Sequence, residues 1–490
     1  MSQLAMSLPD LLERPSSAYP DVMISGMQLD SRAVKPGDAF LAMPGEVHDG
    51  RQFIEQAVAN GASAVLAEPP VAGFVDALHV PLVEIPELRF EAGMLAARFY
   101  RNPSRDMHIV GITGTNGKTT TSRLVAQLAR GLGRPCGVIG TLGASLDDSV
   151  TDAANTTPDP VALQRQLADW RGRDVFAVSM EVSSHALVQG RVAGVEFETA
   201  VFTNLSHDHL DYHGDMASYG RAKLRLFATE GLRHALVNVD DPFAPLVAAA
   251  CSGDVDVLTY SASGAAADVR VEAAEFGPEG VAARLHSPWG ETEFVSPLPG
   301  RFNLANLAAA VASLVLAGED LAAVINGVAA LRPVPGRMQT IANDAGVQVV
   351  VDYAHTPDAL EQVLAALRPH VSGALVTVFG CGGDRDREKR QVMGRVACLH
   401  SDRVIVTSDN PRNEEPEAIL RDIETGCSGD YSLVADRAEA IAAAVSGAGA
   451  GDCVLIAGKG HENYQLVNGE RLAFSDEEEA RDALARRVPA

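Results

Sequence analysis

Cysteine is scarce in this chain of 490 residues. Six cysteines are present, and no two of them form a C-x-x-C pair. They are scattered along the chain, at Cys136, Cys251, Cys381, Cys398, Cys427 and Cys453. This spacing argues against a disulfide framework and against a thiolate zinc site, and it fits a protein of the reducing cytosol.

Basic residues and long apolar runs are scarce as well. Lysine and arginine number 40 against 64 aspartates and glutamates, so the formal net charge is −24. A nucleic-acid role driven by phosphate contacts is therefore not expected. The longest apolar helix candidate, residues 304–317, is too short to span a bilayer, and the N-terminus lacks the pattern of a signal peptide. We expect a cytoplasmic protein without membrane insertion.

A glycine-rich turn is the most informative stretch that is present. Residues 111–120 read Gly-Ile-Thr-Gly-Thr-Asn-Gly-Lys-Thr-Thr. An apolar run, 107–110, precedes them, and a helical pattern, 122–129, follows. Strand, glycine-rich turn and helix are the setting of a phosphate-binding loop, in which backbone N–H groups and the helix N-terminus face the phosphates.

Two side chains of this turn indicate that its ligand is ATP. Lys118 is expected to reach the β- and γ-phosphates, and Thr119 to place its hydroxyl on Mg²⁺. The strict pattern G-x-x-x-x-G-K-[ST] has glycine where this chain has Ile112, so the loop is a variant. Glycine-rich turns also occur without ligands, but Lys-Thr-Thr after the last glycine favours a phosphate site. The loop residues predicted to bind ATP are Gly114, Thr115, Asn116, Gly117, Lys118, Thr119 and Thr120.

The pattern along the chain predicts an α/β protein of several domains. Strand-like and helical segments alternate from residue 107 to about 331 and again beyond 336, which is typical of mostly parallel sheets. Residues 256–297 change to shorter alternating segments, and we interpret them as an antiparallel excursion packed on the central domain. Segments 101–104 and 333–336 have the composition of linkers.

Potential metal ligands follow two of the predicted strands. Glu181 ends one strand, where a carboxylate next to a phosphate loop is well placed for Mg²⁺, although a surface glutamate at a strand end is also common. The next strand leads into residues 207–213, which contain His207, His209 and His213. Zinc is the alternative metal there, but this spacing has no nearby thiolate. Lys223, by its sequence context alone, would be a solvated residue near the start of a helix at 222–227.

A family resemblance rests on an ordered set of motifs. In chain order they are Gly-Thr-Asn-Gly-Lys-Thr-Thr (114–120), Asn-Thr-Thr (155–157), Glu-Val-Ser-Ser-His (181–185), Asn-Leu-Ser-His-Asp-His-Leu-Asp-Tyr-His-Gly-Asp (204–215), Tyr-Gly-Arg-Ala-Lys (219–223), Arg-Phe-Asn-Leu-Ala-Asn (301–306), Gly-Arg (336–337), Asp-Tyr-Ala-His-Thr-Pro (352–357), Gly-Cys-Gly-Gly-Asp-Arg-Asp (380–386), Asp-Asn-Pro-Arg (409–412) and Gly-Lys-Gly-His-Glu (458–462). Together they resemble the Mur ligases of peptidoglycan synthesis, over nearly the whole chain.

The resemblance implies three domains. These are an N-terminal UDP-substrate-binding domain (1–105), a central ATP-binding ligase domain (106–334) and a C-terminal Rossmann-like amino-acid-binding domain (335–490). It also implies that substrates meet in the cleft between domains and that the C-terminal domain closes on the nucleotide. We expect the protein to act as a monomer.

The resemblance further implies an ATP-dependent reaction. ATP would phosphorylate a substrate carboxylate, and an incoming amine would displace phosphate from the acyl phosphate. The implied catalytic residues are Lys118, Glu181, His209 and Lys223, with Lys223 carbamylated by CO₂. Two Mg²⁺ ions are expected, with Thr119, Glu181, His209 and the Lys223 carbamate as ligands, and Asn303, Arg337 and Asp352 are expected to contact ATP.

The family pattern also assigns the larger substrate, UDP-N-acetylmuramoyl-L-alanyl-D-glutamate. The residues expected to bind its uridine end are Leu29, Ser31, Glu46, Val47 and His48. Those expected to position the muramoyl dipeptide are Asn155, Thr156, Thr157, Ser183, Gln189 and Arg191. Arginine is a suitable partner for the anionic groups of this substrate.

The run Asp409-Asn410-Pro411-Arg412 predicts which amino acid is added. Meso-diaminopimelate ends in a second amino-carboxylate, which Arg412 can bind bidentately while Glu462 or Asp409 takes the ammonium group. Arg385 and Gly458 also match positions that contact this ligand in the family. Lysine has no distal carboxylate and would leave the arginine unpaired. Diaminopimelate is therefore favoured over the alternative, L-lysine.

Two other functions are less consistent with the sequence. Folylpolyglutamate synthase has similar central and C-terminal domains, but the extra N-terminal domain of this chain and its run 409–412 argue against that function. A non-catalytic nucleotide switch would have no use for Arg412 or for the dense group of ligands at 207–213.

Overall fold

The computed structural model describes residues 4–15, 19–46, 48–74, 78–146, 149–151, 155–277 and 280–487. Its three larger sheets contain four, eleven and six strands and follow one another along the chain. None of the helices in these ranges is long and apolar enough to cross a membrane.

The first sheet is parallel and lies in the N-terminal part of the chain. The strands of this N-terminal part are β1 (Met6–Ser7), β2 (Met23–Ile24), β3 (Gly26–Gln28), β4 (Asp38–Ala42), β5 (Ala64–Ala67) and β6 (Leu82–Glu84), and the first sheet consists of β3 to β6. Helices are α1 (Leu8–Leu12), α2 (Ile54–Ala59) and α3 (Leu88–Phe99), with 3₁₀ turns at Ser31–Ala33, Gly50–Phe53 and Pro103–Asp106. Strands β3 to β6 pair in sequence order, and β4 and β5 are buried throughout because both faces of the sheet are covered.

The eleven-stranded sheet carries the glycine-rich turn. Its strands are β7 (His108–Thr113), β8 (Cys136–Gly140), β9 (Gly143–Leu146), β10 (Ser149–Thr151), β11 (Ala177–Glu181), β12 (Thr199–Phe202), β13 (His234–Asn238), β14 (Asp256–Ser261), β15 (Val269–Gly277), β16 (Gly280–Ser287) and β17 (Gly290–Ser296). Its helices are α4 (Lys118–Gly131), α5 (Pro160–Arg171), α6 (Ser184–Val188), α7 (Leu210–His213), α8 (Met216–Phe227), α9 (Ala244–Ala250), α10 (Arg301–Leu316) and α11 (Leu321–Asn326), with a 3₁₀ turn at Val328–Ala330. The strand order is β10-β9-β8-β11-β7-β12-β13-β14-β15-β16-β17.

The core of this sheet is parallel, and its neighbours β11, β7 and β12 end at the same edge. The interpretation of residues 256–297 was wrong in part. Strand β14 pairs in parallel with β13, and β15 to β17 continue the same sheet instead of packing on it. The physical reason is that β13 leaves an unpaired edge, to which the next strands add by backbone hydrogen bonds.

The third sheet is parallel apart from one edge strand. Its region contains β18 (Gln339–Thr340), β19 (Gln348–Asp352), β20 (Leu375–Phe379), β21 (Arg403–Val406), β22 (Tyr431–Leu433), β23 (Cys453–Ala457), β24 (Tyr464–Val467) and β25 (Glu470–Ala473). The helices are α12 (Pro357–Leu367), α13 (Glu388–His400), α14 (Pro416–Glu424), α15 (Arg437–Gly447) and α16 (Asp476–Ala485), with a 3₁₀ turn at Arg368–His370. The order β18-β19-β23-β20-β21-β22 places β20 between β23 and β21, and β24 and β25 form a separate hairpin. The α/β fold with mostly parallel sheets that the sequence predicts for the central and C-terminal regions is confirmed.

Candidate active site

The glycine-rich turn connects β7 to α4, as the sequence predicts. Gly114 and Gly117 have φ angles of +149° and +86°, which side chains other than glycine rarely allow. A Cβ atom on Gly114 would lie 1.9 Å from the Thr203 hydroxyl oxygen, so the loop closes tightly on the end of β12. The loop backbone is thus held in a fixed shape at the N-terminus of α4.

Two buried lysines converge on this loop. Lys118 Nζ donates to the Gly114 and Thr115 carbonyls at 2.8 Å each, and Lys223 Nζ donates to the same Gly114 carbonyl at 2.7 Å. Burial lowers the pKa of Lys118, and it holds the pKa of Lys223 well below its ordinary value. Within the described part of the chain, neither ammonium group has a carboxylate oxygen within 4.0 Å. Both lysines therefore lack a contacting carboxylate, whose place a bound anion could take.

The expectation that Lys223 is a solvated residue at a helix start was wrong. Helix α8 begins at Met216, and the Asp215 carboxylate caps it by accepting from the Ser218 N–H at 2.6 Å. Lys223 therefore lies two turns into the helix, on the buried face that also carries Tyr219 and Leu226. Its residue exposure is only 1%.

Glu181 and Thr119 face the same small cavity as these lysines. Glu181 ends β11 with 1% exposure and accepts from the Thr141 N–H at 2.8 Å and from the Thr141 hydroxyl at 3.0 Å. Among the described residues it has no Lys, Arg or His nitrogen within 4.0 Å. The cavity has a volume of about 150 Å³, and its lining includes Lys118, Thr119, Glu181, Asp208, His209, Lys223, Arg337 and His355. A buried carboxylate without a cationic partner, beside a hydroxyl oxygen, fits the oxygen ligands of Mg²⁺.

The three candidate histidines have three different partners. His207 Nε2 lies 2.5 Å from Asp386, and His213 Nε2 lies 2.9 Å from the Ser184 hydroxyl. Only His209 of the three lines the cavity with Glu181, and burial lowers its pKa to about 3, which keeps the ring neutral as a metal ligand must be. In the ranges that the structure describes, no group of three or more His, Cys, Asp or Glu side chains is arranged to hold a metal ion.

A larger cavity of about 590 Å³ opens beside the phosphate loop. Arg337 and Asp352 line it, and Arg337 Nη2 donates to the Thr119 hydroxyl at 3.1 Å. Asp352 accepts from the Met338 and Ala354 N–H groups at 2.7 Å each, and burial raises its pKa. Asn303 does not line this cavity, because its side chain donates to the Pro299 carbonyl at 2.7 Å.

Asn306 lines that cavity instead, one helical turn after Asn303. Its side-chain oxygen accepts from the Thr121 hydroxyl at 3.3 Å, which ties α10 to α4. A Cβ atom on Gly117 would lie 2.6 Å from the same oxygen. The phosphate loop therefore packs directly on Asn306.

Part of the predicted dipeptide site is assembled around Glu181. The Thr157 hydroxyl donates to the Glu181 carbonyl at 2.9 Å and lies 3.5 Å from the Ser183 hydroxyl, and the Thr156 hydroxyl lies 3.2 Å from that of Thr141. Arg191 donates to the Thr157 carbonyl at 3.1 Å. Asn155 is exposed at the edge of this group.

The predicted uridine-binding residues are only partly brought together. Gln189 Nε2 donates to Glu46 at 2.5 Å, which joins the first region of the chain to the central one. Ser31 instead donates to Gln56 at 2.8 Å, and Leu29 packs against the core of the first sheet. His48 is exposed, and Val47 lies outside the described residues.

The predicted amino-acid site is formed by loops that follow β20, β21 and β23. Arg412 Nη1 donates to the Gly383 carbonyl at 2.8 Å, and no carboxylate of the described residues lies within 4.0 Å of its guanidinium. Glu462 accepts from Asn410 Nδ2 at 2.9 Å and from Lys459 Nζ at 3.0 Å. Asp409 is buried, and a Cβ atom on Gly458 would lie 2.7 Å from its carboxylate. Pro411 follows in the same loop and is buried.

The stem of Arg385 lies near Gly382 beside this site, but its guanidinium contacts the central region. Its Nη1 donates to Asp211 in the central region at 3.2 Å. The neighbouring Asp386 contacts His207, so residues 385–386 form a junction with the segment after β12.

Sequence reasoning missed two residues of the reaction cavity. Asp208 is 5% exposed and lies 3.7 Å from His355 Nε2 and 3.3 Å from His209 Nε2. Burial alone would raise the pKa of Asp208, but the hydrogen bond from His355 and the charges around it hold the pKa well below its ordinary value. The two missed residues, Asp208 and His355, lie inside the motifs 204–215 and 352–357. The motifs were therefore recognised, but nothing in the sequence distinguished these two residues from their neighbours.

The fold and the site define a class of protein. A strand–loop–helix phosphate site with two buried lysines, an unpaired buried carboxylate and an adjoining nucleotide-sized cavity characterises an enzyme that uses a nucleoside triphosphate.

Comparisons with known families narrow this class. The model of the Mur ligase middle domain matches residues 112–314, that of the Mur ligase glutamate ligase domain matches 336–460, and that of the Mur ligase family catalytic domain matches 23–100. The chain belongs to the Mur ligase family.

Individual relatives are similar over their full length. The UDP-N-acetylmuramoyl-L-alanyl-D-glutamate–2,6-diaminopimelate ligase of Pseudomonas aeruginosa is 47% identical, with 98% of this chain and 99% of the relative covered. The protein of that name from Coxiella burnetii is 46% identical, with 97% and 99% covered. A solved structure of a protein with this name is 40% identical, has a TM-score of 0.72 and covers 98% of this chain and 99% of its own. A folylpolyglutamate synthase of Mycobacterium tuberculosis, 21% identical with a TM-score of 0.65, shares the fold over 82% of this chain and 96% of its own.

Proposed function

We propose that this chain is the ATP-dependent ligase that joins meso-2,6-diaminopimelate to the D-glutamate γ-carboxylate of UDP-N-acetylmuramoyl-L-alanyl-D-glutamate, in the synthesis of peptidoglycan precursors. The observation that carries the proposal is the Arg412 guanidinium, which faces no carboxylate of the described residues and lies in the same site as Glu462. A ligand with a distal carboxylate and a distal ammonium group complements both charges. The full-length relatives bear the name of this activity.

The proposed reaction has two steps. The γ-carboxylate attacks the γ-phosphoryl group of ATP, ADP leaves, and an acyl phosphate is formed. The amine of diaminopimelate then attacks the acyl carbon, loses a proton and displaces phosphate. Lys118 and the phosphate-loop N–H groups stabilise the charge on the transferring phosphoryl group, since they are fixed in a buried site before the reaction begins.

Magnesium is part of this proposal. Thr119, Glu181, His209 and carbamylated Lys223 would hold it, and when bound it neutralises phosphate charge. Asn303, Arg337 and Asp352 are proposed to contact ATP. For Arg337 and Asp352 the supporting observation is that both line the 590 Å³ cavity beside the phosphate loop.

The carbamate on Lys223 is proposed for a physical reason. An uncharged amine is the form that attacks CO₂, giving a carbamate and releasing one proton. Burial lowers the pKa of Lys223 well below its ordinary value, which favours this uncharged form. Enzyme kept in ¹³C-labelled bicarbonate should show a carbamate carbon signal that is missing from Lys223→Ala, and an identical spectrum from both proteins would exclude the modification.

The larger substrate is proposed to extend from the reaction cavity to the N-terminal region. Thr156, Thr157, Ser183 and Arg191 surround Glu181 and would hold the dipeptide, together with Asn155 and Gln189. Because Gln189 donates to Glu46, the muramoyl end would lead toward the first sheet. Leu29, Ser31, Glu46, Val47 and His48 are proposed for the uridine nucleotide.

The domain division at 105/106 and 334/335 is part of the proposal. Contacts across the second boundary support a closed arrangement: Asn116 Nδ2 donates to Asp358 at 3.1 Å, and Arg337 donates to Thr119. We propose that the C-terminal domain opens and closes in each cycle, in a cytoplasmic monomer. Small-angle scattering with and without ATP and the UDP-dipeptide tests this, and an unchanged radius of gyration would contradict the motion.

A phosphate-release assay tests both the ligase activity and the role of Arg412 in choosing the amino acid. Wild-type protein with ATP, Mg²⁺ and the UDP-dipeptide should release phosphate with meso-diaminopimelate and far less with L-lysine. Arg412→Lys should raise the KM for diaminopimelate by about ten- to a hundredfold, because a charged hydrogen-bonded pair contributes about 1.5–3 kcal/mol. Arg471→Lys is the matched control, since Arg471 lies over the Tyr464 ring on the neighbouring hairpin.

The outcomes separate the alternatives. Preference for diaminopimelate that collapses only in Arg412→Lys supports the proposal. Equal or better use of lysine would keep the ligase reaction and contradict the role of Arg412. Phosphate release without any amino acid or UDP-dipeptide would instead indicate a nucleotide switch.

A further inference from the structure

A fully buried ion pair lies behind the proposed amino-acid site. Arg437 begins α15 and Asp476 begins α16, and the side chains of both are 0% exposed. Arg437 Nε and Nη2 donate to the two Asp476 carboxylate oxygens at 2.7 and 2.8 Å. This bidentate contact fixes the plane and direction of the guanidinium. Nothing in the sequence motifs singled out either residue.

The same guanidinium holds the ends of two strands. Arg437 Nη1 donates to the Ser408 carbonyl at 3.1 Å, and Nη2 donates to the Ala457 carbonyl at 2.9 Å. Ala457 ends β23 and Ser408 follows β21, and these strands lie on either side of β20. The next residues along the chain are Asp409 and Gly458, two of the proposed diaminopimelate contacts.

The end of β20 leaves room for these two chain segments to approach. Gly380 follows β20, and a Cβ atom there would lie 2.2 Å from the Thr407 carbonyl oxygen. Across it, a Cβ atom on Gly458 would lie 2.7 Å from the Asp409 carboxylate. The two segments thus approach each other closely beside Gly380, and Arg437 donates to a carbonyl of each.

We propose that Arg437, oriented by Asp476, is a positioning residue that sets the spacing between Asp409 and Gly458 and thereby the affinity for the incoming amino acid. This inference rests on the proposed function, in which the amino acid binds between residues 409–412 and 458–462. Arg437 itself does not reach the ligand. A displacement of about 1 Å in a group that positions a substrate can lower the reaction rate about a hundredfold. A cross-link that fixes the loops from behind should therefore have a measurable effect on the use of the amino acid.

The pair is better explained by positioning than by stability. Replacing a buried ion pair with apolar side chains of similar volume is often neutral or stabilising. Four hydrogen bonds from one guanidinium to a carboxylate and two loop carbonyls instead fix geometry, because the planar fork cannot rotate without breaking several of them.

Two variants test the role. Arg437→Lys keeps a charge for Asp476 but cannot span both carbonyls, and Arg437→Met/Asp476→Leu removes both charges together. The matched control is Arg487→Met, since Arg487 also donates to two carbonyls, Val445 and Ala448, at the other end of α15.

The readout separates the amino-acid step from the rest of the reaction. Both test variants should raise the KM for diaminopimelate by about tenfold or more, a loss expected from a small misplacement. The KM values for ATP and the UDP-dipeptide should match the wild type, as should acyl phosphate formed without amino acid and trapped by borohydride reduction. Arg487→Met should leave all of these unchanged.

An unchanged KM for diaminopimelate in folded variants would overturn the proposal. So would a parallel loss of all three KM values and of acyl-phosphate trapping, or failure of both test variants to fold, because Arg437 would then serve folding alone. If the wild type does not use diaminopimelate, the proposed function fails on its own, and the variants are judged with the amino acid that the wild type does use.

Discussion

The reaction cavity and the amino-acid site both contain buried cations, but they balance the charge differently. Among the described residues, Lys118 and Lys223 donate only to backbone carbonyls of the phosphate loop. In and behind the amino-acid site three buried cations have a carboxylate partner: Arg390 contacts Glu414 at 2.9 Å, Arg437 contacts Asp476, and Lys459 contacts Glu462. Within the described residues, no carboxylate contacts the two lysines of the first site, whereas each of these three cations in the second contacts one.

This difference indicates what each site does. A buried lysine without a carboxylate in contact is costly to keep charged, so the reaction cavity gains most when a polyanion such as triphosphate binds beside Lys118. Paired cations add little net charge, and they fix the loops that hold Arg412 and Asn410. The charge of the reaction cavity is therefore completed by its ligand, whereas the paired cations of the amino-acid site fix the loops that present Arg412.

The largest expected effect comes from removing one unpaired lysine. Lys118→Met should lower turnover by about a thousandfold or more, because the charge that stabilises the transferring phosphoryl group is lost. Its melting temperature should stay the same or rise, since a buried unpaired charge disappears. Phosphate release and calorimetry measure both.

Lys459→Met is the matched control for that variant. It also removes a buried lysine, but it leaves Glu462 without its cation, so its melting temperature should fall. If Lys118→Met were destabilised as much as Lys459→Met, the contrast between unpaired and paired lysines would be wrong.

The next effect is on stability in the amino-acid site. Arg390 is fully buried, and its guanidinium contacts Glu414, Asp422 and the Gly382 carbonyl. Arg390→Met should lower the free energy of unfolding by about 1.5–3 kcal/mol, because Glu414 loses a buried charged hydrogen-bond donor while it keeps Arg387. Urea denaturation measures this.

Arg387 supplies the control for Arg390. Its side chain is 68% exposed and donates to the same Glu414 carboxylate at 2.9 Å. Arg387→Met should cost at most about 1 kcal/mol, as for other exposed pairs. Equal losses in the two variants would mean that burial does not set the strength of these contacts.

The smallest effect is a pH dependence of the same cluster. The Arg390 hydrogen bond lowers the pKa of Glu414 from 4.5 to about 2. A carboxyl group whose pKa is lower in the folded state contributes stability that is present above its unfolded pKa and is lost as the pH falls toward 2. Glu414→Gln should therefore be less stable than the wild type at pH 6, and the gap should narrow from pH 5 to pH 3. A gap that does not change with pH would contradict this assignment.

The fold could be predicted further than the site. The parallel α/β sheets and the phosphate loop can be predicted from local patterns. The periodicity of strands and helices and the spacing of glycines in a turn each depend on residues that are close in the sequence. The prediction for β14 to β17 was right about the antiparallel pairing of β15 to β17 but wrong about where these strands lie, since which existing edge they join depends on pairing between distant segments.

The sequence by itself determined the phosphate loop, the order of motifs and the acidic, cysteine-poor composition, since all of these are properties of neighbouring residues or of the whole chain. Only the tertiary structure decided that Lys223 is buried beside Lys118, that Asp208 and His355 join the reaction cavity, and that Arg437 spans two strand ends. The physical reason is that burial and charge pairing depend on groups far apart in the chain, whose approach is fixed only once the sheets have formed and packed.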